Sequence, residues 1–562
     1  MISTSTKKAD TSTSKDKARW VRGINLGGWL VLERYITPYQ FALTDCHVQA
    51  TEDDDLCWYP GAISAPPTHS PKYRRCDFSK CKPYLQENIF NNTDFPIDEW
   101  HLAQAFQDKD VATTWFNTHF ENFITKEDLV KIKKANLTHV RVPLPHWVLG
   151  DVEEGEPWIV GQRWQALQRV VGWARQLGLQ VWPNLHTAPG SQNGFDNSGI
   201  ESVVYTSDGW WKDPENVERT LRVLEQITSR MAQDDMLDVV TGFGLLNEPF
   251  GDCDMNVYLQ FLDDALAIAR RNLGTEAKIF VADRFASSKF NNGTWWVDEP
   301  NTYLDSHIYH VFAASVRSYD PIKHLERVCH PDEPENTISD CCYLDPPQNT
   351  TPSPGVRRIS TEWSAAFDAM PGELLAVVMK GIAENGTAPN FFRTMSEERG
   401  NFIRRFIQAQ MVALEDEQVS DGWFYWTWKT EGGAFAEWDF LQGLDEGWMP
   451  TIVDPHNMSA SVYGTCDQLL DNAANDTSVI HPYPWIDVPY WTTDDAVEQM
   501  QELEEDEDWD QKNFLSRNVI GWAALLVTAV VGCYIWRRKR TNSANKGYSP
   551  VGEIDEMTPL KV

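Results

Sequence analysis

Apolar stretches with a strand-like pattern alternate with amphipathic stretches of helical period along most of the chain. Eight stretches rich in β-forming residues predict strands over 21–26, 137–142, 179–185, 239–246, 278–282, 302–309, 356–361 and 422–428. Helices are predicted over 126–134, 163–177, 214–231 and 256–273, and a capping-box pattern of Thr125 and Asp128 opens the first of them. Eight strands alternating with helices predict an α/β fold, a (β/α)8 TIM barrel around a parallel sheet.

Three segments interrupt this regularity. Residues 44–110 and 327–354 are rich in cysteine and proline and predict ordered loop insertions, whereas 494–510 holds ten acidic residues and predicts a solvated stalk. The predicted organisation is a disordered N-terminal segment 1–19, a barrel domain 20–490 with insertions near 44–110 and 327–354, an acidic stalk 491–517, a membrane helix 518–536 and a cytoplasmic tail 537–562.

The membrane helix is predicted from residues 519–536, an uncharged run of eighteen residues, which as a helix of about 27 Å could cross a bilayer core. The basic cluster 537–540 follows at once, so the positive-inside rule predicts a single-pass protein of the plasma membrane with its large domain outside. Residues 1–20 contain no apolar export signal. The alternatives are therefore a missing N-terminus, an unrecognised export route, an intracellular membrane, or a tail anchor with a cytosolic domain.

Composition narrows the classes of partner. A net charge of −33 argues against nucleic acid or anionic lipid as a partner of the main domain, because like charges repel, whereas a neutral polysaccharide would be unaffected. Seven Asn-x-Ser/Thr sequons favour an exported glycoprotein. The ten cysteines lack zinc-finger spacing to histidine, so disulfides in loops are expected rather than a metal, and their pairing stays open.

Two short glutamate motifs, LNEP at 246–249 and STEWS at 360–364, each end a strand-like stretch. Because the carboxyl ends of barrel strands meet at one pocket, Glu248 and Glu362 are predicted to face each other. Two such carboxylates are the minimum for cleaving a glycosidic bond, one as proton donor and one as nucleophile or base. The alternative is a surface ion pair for each glutamate. Titratable residues at other strand ends favour the pocket: Arg141, His186, His307 and Tyr309.

Residues 22–35 (RGINLGGWLVLERY) and 185–199 (LHTAPGSQNGFDNSG), followed in order by the two glutamate motifs, resemble the fungal exo-β-1,3-glucanases of glycoside hydrolase family 5. The resemblance runs from about residue 20 to about residue 489 and is broken by the two insertions. It implies a retaining (β/α)8 glycosidase without metal or organic cofactor. Such an enzyme releases glucose from the nonreducing end of β-1,3-glucans, in processing of the fungal cell wall.

The resemblance also implies catalytic roles. Glu248 corresponds to the acid/base and Glu362 to the nucleophile, with Arg141 and Tyr309 hydrogen-bonded to Glu362 and Asn247 contacting the sugar 2-OH. Further positions match residues that surround the terminal glucose: Glu33, Tyr35, His186, Asp196, Asn197 and His307.

Four aromatic positions match the family's sugar contacts. Phe195 and Phe312 match a pair that clamps the next sugar at the pocket mouth. The tryptophan under the bound ring is matched by Trp426 or Trp428, and strand alternation would place both on one face, so the sequence does not separate them.

Elementary electrostatics points to the same division of labour. An arginine near Glu362 is expected to lower the pKa of that carboxyl and keep it anionic, whereas Glu248 must hold a proton, which a drier and less charged environment would favour.

The chain also departs from the family. Arg34 stands where the family usually has proline, Ser306 replaces a histidine, and residues 368–399 have little of the family's pattern. These departures leave open a β-glucosidase for another glucoside, a β-1,6-glucanase or a transglycosylase. From a different class, an inactive glucan-binding membrane protein is an alternative, although both glutamates are present.

Overall fold

The computed structural model describes residues 20–42, 56–58, 73–75, 96–106, 108–202, 206–290, 299–312, 316, 319–330, 357–368, 396–415, 420–431 and 435–475. The chain divides into two units, 1–497 and 498–562, and the second lies wholly outside the described residues. Also outside them are the predicted segment 1–19, the stalk 491–517, the membrane helix 518–536 and the tail 537–562. Within the described ranges, no helix is long and apolar enough to span a bilayer.

Eight parallel strands form a closed barrel in which neighbouring strands pair in chain order and the last pairs with the first. They are β1 (Val21–Asn25), β2 (His139–Leu144), β3 (Gln180–Leu185), β4 (Gly242–Gly244), β5 (Lys278–Ala282), β6 (Thr302–Ile308), β7 (Arg357–Trp363) and β8 (Gly422–Tyr425). The TIM-barrel prediction is confirmed, and each strand falls on a predicted stretch. β4 and β8 are shorter than predicted.

Helices surround this barrel. They are α1 (Pro38–Ala42), α2 (Glu99–Ala105), α3 (Lys109–Asn122), α4 (Lys126–Lys134), α5 (Arg163–Leu177), α6 (Asp208–Trp211), α7 (Pro214–Gln233), α8 (Met255–Leu273), α9 (Pro321–Cys329), α10 (Glu397–Leu414), α11 (Phe440–Glu446), α12 (Ala460–Tyr463) and α13 (Cys466–Asn475). The four predicted helices are confirmed as α4, α5, α7 and α8. The capping box also forms: Asp128 N donates to Thr125 Oγ1, and Thr125 N donates to the Asp128 carboxylate.

Large side chains from the first residues of the strands fill the floor of the barrel: Val21, Trp182, Phe280, Tyr303, Ile359 and Phe424. The Trp182 ring lies 4.5 Å from Phe280 and 5.0 Å from Phe424, measured between centroids. Gly23 makes room for Phe424, because a Cβ at that position would lie 2.0 Å from the ring. With the floor closed in this way, the carboxyl ends of the strands are left for a pocket, as in other TIM barrels.

Parts of both segments predicted as loop insertions are helical, and the bounds of the insertions stay a prediction. Residues 99–105 belong to α2, whose buried Glu99 accepts from Leu32 N at 2.9 Å and pairs with Arg163 of α5. Within 44–98, the strands Leu56–Trp58 and Tyr73–Arg75 pair in parallel. Residues 327–329 of the second segment belong to α9, and residues 331–354 lie outside the described residues.

One disulfide joins the helical layer. Cys329 at the end of α9 is bonded to Cys466 at the start of α13, with their Cα atoms 5.3 Å apart, a pairing that the sequence had left open. The bond connects two helix ends rather than two loops. Cys253 is buried and free, and burial raises the pKa of its thiol to about 12, so it stays protonated at neutral pH.

Candidate active site

The Glu362 carboxylate is buried near the carboxyl end of β7, between side chains from two other strands. Its Oε1 accepts a hydrogen bond from Arg141 Nη1 of β2 at 2.6 Å, and its Oε2 accepts from the Tyr309 hydroxyl, just after β6, at 2.9 Å. The charged donor and the phenol satisfy one oxygen each, so the carboxylate has one fixed orientation.

Arg141 connects Glu362 to the rest of the pocket. Nη1 also donates to Asn25 Oδ1 at 2.8 Å, and Nη2 donates to Asn247 Oδ1 at 2.7 Å. Asn25 in turn donates to the backbone oxygen of Thr361 at 2.8 Å. The sequence analysis missed Asn25 as a site residue, although its place at the end of β1 within the 22–35 motif was a usable signal.

Glu248 follows β4 and lies opposite Glu362. Its Oε1 lies 2.6 Å from His307 Nδ1, and its Oε2 accepts from Asn197 Nδ2 at 2.9 Å. The same His307 nitrogen lies 3.4 Å from Glu362 Oε2, and one oxygen from each glutamate lies within 4.8 Å of the other. The two carboxylates therefore meet in one pocket, as the barrel rule predicted. Glu248 also has a φ of 46°, an uncommon left-handed conformation for a residue other than glycine.

An extra residue on β7 explains how two consecutive side chains reach one histidine ring. The pairing of β6 with β7 shifts between Asp305 opposite Ile359 and His307 opposite Glu362. A bulge of this kind redirects side chains that would otherwise alternate between faces. Thr361 Oγ1 consequently lies 3.1 Å from His307 Nε2, while Glu362 approaches the other nitrogen of the same ring.

Burial and the neighbouring carboxylates decide the protonation of this cluster. Burial raises the pKa of Glu362 above its ordinary value, and His307 and Arg141 offset only part of that rise. Arg141 lowers the pKa of Glu362, as expected, but burial has the larger effect, so the pKa stays above its ordinary value. Burial alone would lower the pKa of His307, but Glu362, Asp305 and Glu248 hold it well above the ordinary value. The ring therefore favours the imidazolium form.

A second set of acidic residues, Glu33 and Asp196, lies in the loops that follow β1 and β3. Glu33 is 0% exposed, and the Tyr35 hydroxyl lies beside its carboxylate. Neither carboxylate oxygen makes a close hydrogen bond among the described residues. Burial, with Asp196 next in effect, raises the pKa of Glu33 well above its ordinary value. Burial and the charge of Glu201 raise the pKa of Asp196 to about 7. A buried carboxyl group with unused hydrogen-bonding capacity is suited to bind hydroxyl groups of a ligand.

The structure separates the two candidate tryptophans. Trp426 Nε1 donates to the Tyr35 hydroxyl at 3.1 Å, and its ring stacks on His186 at 5.7 Å between centroids. Trp428 Nε1 instead donates to Asp128 of α4 at 2.9 Å, in the layer between barrel and helices. The expectation that both share one face is wrong, because β8 ends at Tyr425 and strand alternation does not extend to these positions. Trp428 is therefore not a pocket residue.

The predicted aromatic pair lies in two separate clusters. Phe195 packs against Phe250 and Phe285, at 5.6 and 6.3 Å between centroids. Phe312 is 51% exposed and packs against Tyr309 at 5.1 Å and Trp438 at 6.0 Å. Their shared clamp on one sugar stays a prediction.

Trp438 is a wall residue that the sequence analysis missed. It contacts Tyr35 and Tyr309 as well as Phe312, although it lies in the loop after β8, where no strand-end position marked it.

Matched substitutions of the two tryptophans test this separation. Trp426→Phe should lower kcat/KM roughly tenfold, equivalent to about 1.4 kcal/mol, by removing part of the ring and the bond to Tyr35. Trp428→Phe should leave kcat/KM near the wild-type value but lower the free energy of unfolding by about 1–3 kcal/mol, because it leaves buried Asp128 without that donor. Steady-state kinetics and urea unfolding measure the two effects, and the reverse pattern would place Trp428 in the pocket.

Comparison with known proteins agrees with this geometry. The family described as Cellulase (glycosyl hydrolase family 5) matches residues 102–339, a range that includes Glu248 and His307 but ends before Glu362. Glucan 1,3-beta-glucosidase of Yarrowia lipolytica is 28% identical over 448 residues, which cover 76% of this chain and 88% of that protein. Probable glucan 1,3-beta-glucosidase A of Emericella nidulans is 30% identical over 451 residues, which cover 77% of this chain and 90% of that protein.

Among solved structures, rutinosidase from Aspergillus niger has a TM-score of 0.50 at 14% identity, covering 76% of this chain and 97% of that one. A likeness at that level of identity supports the barrel fold alone. The sequence relatives are matched along most of their length, 88% and 90% of the two proteins named. The chain therefore belongs to glycosyl hydrolase family 5, as a glycoside hydrolase grouped with the glucan 1,3-β-glucosidases.

Proposed function

We propose that this protein is a retaining glycosidase that releases glucose from the nonreducing end of β-1,3-glucans. The observation that carries the mechanism is the separation of the two carboxylates. An oxygen of Glu248 and an oxygen of Glu362 lie within 4.8 Å of each other. Inverting enzymes need roughly 6.5–9.5 Å between the carboxyl groups to admit a water, whereas retaining enzymes need about 5–5.5 Å.

In this proposal Glu362 attacks the anomeric carbon and Glu248 protonates the leaving oxygen. Arg141 and Tyr309 hold Glu362 at 2.6 and 2.9 Å in a single orientation, which suits a nucleophile. Glu248 then accepts the proton of the incoming water, so that the glycosyl ester is hydrolysed and the original configuration is restored. Asn247, fixed by Arg141 at 2.7 Å, is placed to contact the sugar 2-OH.

The acidic and aromatic lining supports a single terminal glucose as the bound sugar. Glu33 brings a buried carboxylate that makes no close hydrogen bond among the described residues, and Asp196 and Asn197 come from the loop after β3. Such groups bind sugar hydroxyls, while Trp426 and His186 offer ring faces. The β-1,3 linkage rests on the names of the relatives.

A laminarin digestion followed over time tests substrate and mode of action. We expect glucose as the first and main product, because a pocket lined by terminal-sugar contacts accepts one residue at a time. A ladder of oligosaccharides with little early glucose would contradict exo action. If the enzyme hydrolyses another β-glucoside rapidly but does not hydrolyse laminarin, the 1,3 specificity is contradicted.

We also propose that residues 518–536 anchor the enzyme in the plasma membrane, with the barrel outside. The uncharged run and the basic cluster after it support this orientation, as does the number of sequons. Endoglycosidase should increase the gel mobility of the native protein, and external protease should digest the barrel domain on intact cells. An unchanged mobility, together with a domain that is protected until the cells are broken, would favour a tail anchor with a cytosolic domain.

A further inference from the structure

The His307 ring contacts hydrogen-bonding groups at both nitrogens, and the two sides differ in kind. On one side, Nδ1 lies 2.6 Å from Glu248 Oε1 and 3.4 Å from Glu362 Oε2. On the other, Nε2 lies 3.1 Å from Thr361 Oγ1 and 3.5 Å from Asp305 Oδ2. The first side faces the reacting groups, and the second faces the barrel wall between β6 and β7.

Asp305 determines which way the Thr361 hydroxyl points. Asp305 Oδ1 accepts from Thr361 N at 2.9 Å, and Oδ2 accepts the Thr361 hydroxyl proton. A hydroxyl has one proton to donate, so towards His307 the Thr361 oxygen can only accept. His307 Nε2 must therefore carry a proton and donate it, which fixes the tautomer of the ring from the wall side.

The fixed tautomer leaves Nδ1 free to exchange a proton with Glu248. With Nε2 protonated, the short contact between Nδ1 and Glu248 Oε1 holds one proton, which lies either on the carboxyl group or on the ring. In the first case the ring is neutral and Glu248 is a carboxylic acid. In the second the ring is an imidazolium and Glu248 a carboxylate, and transfer from Nδ1 to Oε1 regenerates the acid.

We infer that Asp305, acting through Thr361, is a positioning residue that keeps the proton of the Glu248–His307 contact available for leaving-group protonation. The inference rests on the proposed acid/base role of Glu248. Asp305 touches none of the reacting atoms. It acts on the His307 ring through the Thr361 hydroxyl and through its own charge, 3.5 Å from Nε2. The titratable groups that interact with His307 from elements other than β6 are His186, Glu248, Asp283 and Glu362. Arg141 lies beside Glu362, and Tyr309 follows β6.

Replacing Asp305 by asparagine reverses the direction of two hydrogen bonds, the one between residue 305 and Thr361 and the one between Thr361 and His307. The amide can present its NH₂ to Thr361 Oγ1, so the hydroxyl proton turns towards His307 Nε2. The ring then takes the opposite tautomer, with its single proton on Nδ1 donated to a Glu248 carboxylate. Glu248 is thereby held as a base, and no proton is left for the leaving group.

Substrates with different leaving groups distinguish a loss of proton donation by Glu248 from a general disturbance of the active site. For Asp305→Asn, kcat/KM on laminaribiose, whose leaving group needs a proton, should fall about 100-fold. On 2,4-dinitrophenyl β-glucoside, whose leaving group needs none, it should fall less than about threefold. The alkaline limb of the kcat/KM profile for laminaribiose should move to lower pH by about one unit, because that limb reports the acid of the free enzyme.

The matched control is Asp283→Asn. Asp283 and Asp305 are both 6% exposed and both lie near His307, but Asp283 accepts from Phe285 N at 2.8 Å and from Ser287, not from Thr361. It should keep the wild-type ratio between the two substrates. Thr361→Val removes the hydroxyl without supplying a donor to Nε2, and Asp305 remains 3.5 Å from that nitrogen, so it should change the ratio less than Asp305→Asn. Thr361→Ser, which keeps the hydroxyl, should lie closer to wild type.

A substrate-free measurement separates this inference from the proposed function. In protein labelled with ¹⁵N-histidine, the His307 signal, assigned from its loss in His307→Asn, should show a proton on Nε2 in wild type. In Asp305→Asn, Nε2 should carry no proton and Nδ1 alone should carry one. If both proteins show the same ring protonation, or if Asp283→Asn matches Asp305→Asn in the substrate ratio, the inference is overturned. If the His307 signals are as expected in both proteins but the enzyme does not hydrolyse glucosides, only the proposed function is contradicted.

Discussion

Glu362→Gln should lower kcat on every β-glucoside by roughly 10⁴- to 10⁶-fold, because an amide cannot form the glycosyl ester that carries the reaction. The loss should be the same for natural and activated substrates, since both must pass through that intermediate. Single-turnover hydrolysis of an aryl β-glucoside measures it. Thermal unfolding should show the variant folded, because the amide oxygen can still accept from Arg141.

Glu431→Gln is the matched control. Glu431 is equally buried and bonded to Gln40 at 2.7 Å, but none of its contacts is with the Glu248–His307–Glu362 cluster. Burial raises its pKa to about 7, so at acidic pH the amide replaces a group of similar hydrogen bonding. The Glu431→Gln variant should therefore retain activity.

Azide added to a Glu362→Ala variant should give the α-glucosyl azide. Full activity of Glu362→Gln would show that Glu362 is not the nucleophile.

Glu248→Gln should lower kcat/KM on laminarin by about 10²- to 10⁴-fold, the usual size of general acid catalysis. Activated aryl glucosides should lose much less in the first step, because their leaving groups depart without a proton. The glycosyl ester should then accumulate, since Glu248 no longer activates the water. Pre-steady-state measurements should show a burst of the aryl leaving group followed by slow turnover.

Azide reports the configuration of this trapped ester. Added to Glu248→Gln, it should restore turnover and give β-glucosyl azide, by attack on the α-linked intermediate. Formation of the α-azide from this variant would mean that Glu248 and Glu362 have the opposite roles.

The barrel and the two glutamates were predictable because they depend on local patterns and on one topological rule. β-Forming runs marked the strands, and the convergence of strand ends brought Glu248 and Glu362 together. Asp305 could have been found in the same way, because Asp305 and His307 are two residues apart along β6 and so point to one face. Trp428 was misplaced because alternation was extended beyond the end of β8 at Tyr425.

Other parts of the site depend on information that a single sequence does not contain. The approach of Thr361 to His307 results from a register shift between β6 and β7, and no residue type marks that shift. Trp438 reaches the pocket wall from the loop after β8. The net direction of the Glu362 pKa depends on how much burial outweighs Arg141 and His307, which spacing along the chain cannot reveal.

Covalent trapping tests the central claim most directly. A 2-deoxy-2-fluoro-β-glucoside with a dinitrophenyl leaving group should inactivate the enzyme stoichiometrically, because fluorine slows both steps while the leaving group rescues only the first. Peptide mass spectrometry should then place one fluoroglucosyl group on the peptide containing Glu362. A label on the peptide containing Glu248, or hydrolysis with inversion and no label, would contradict a retaining mechanism with Glu362 as nucleophile.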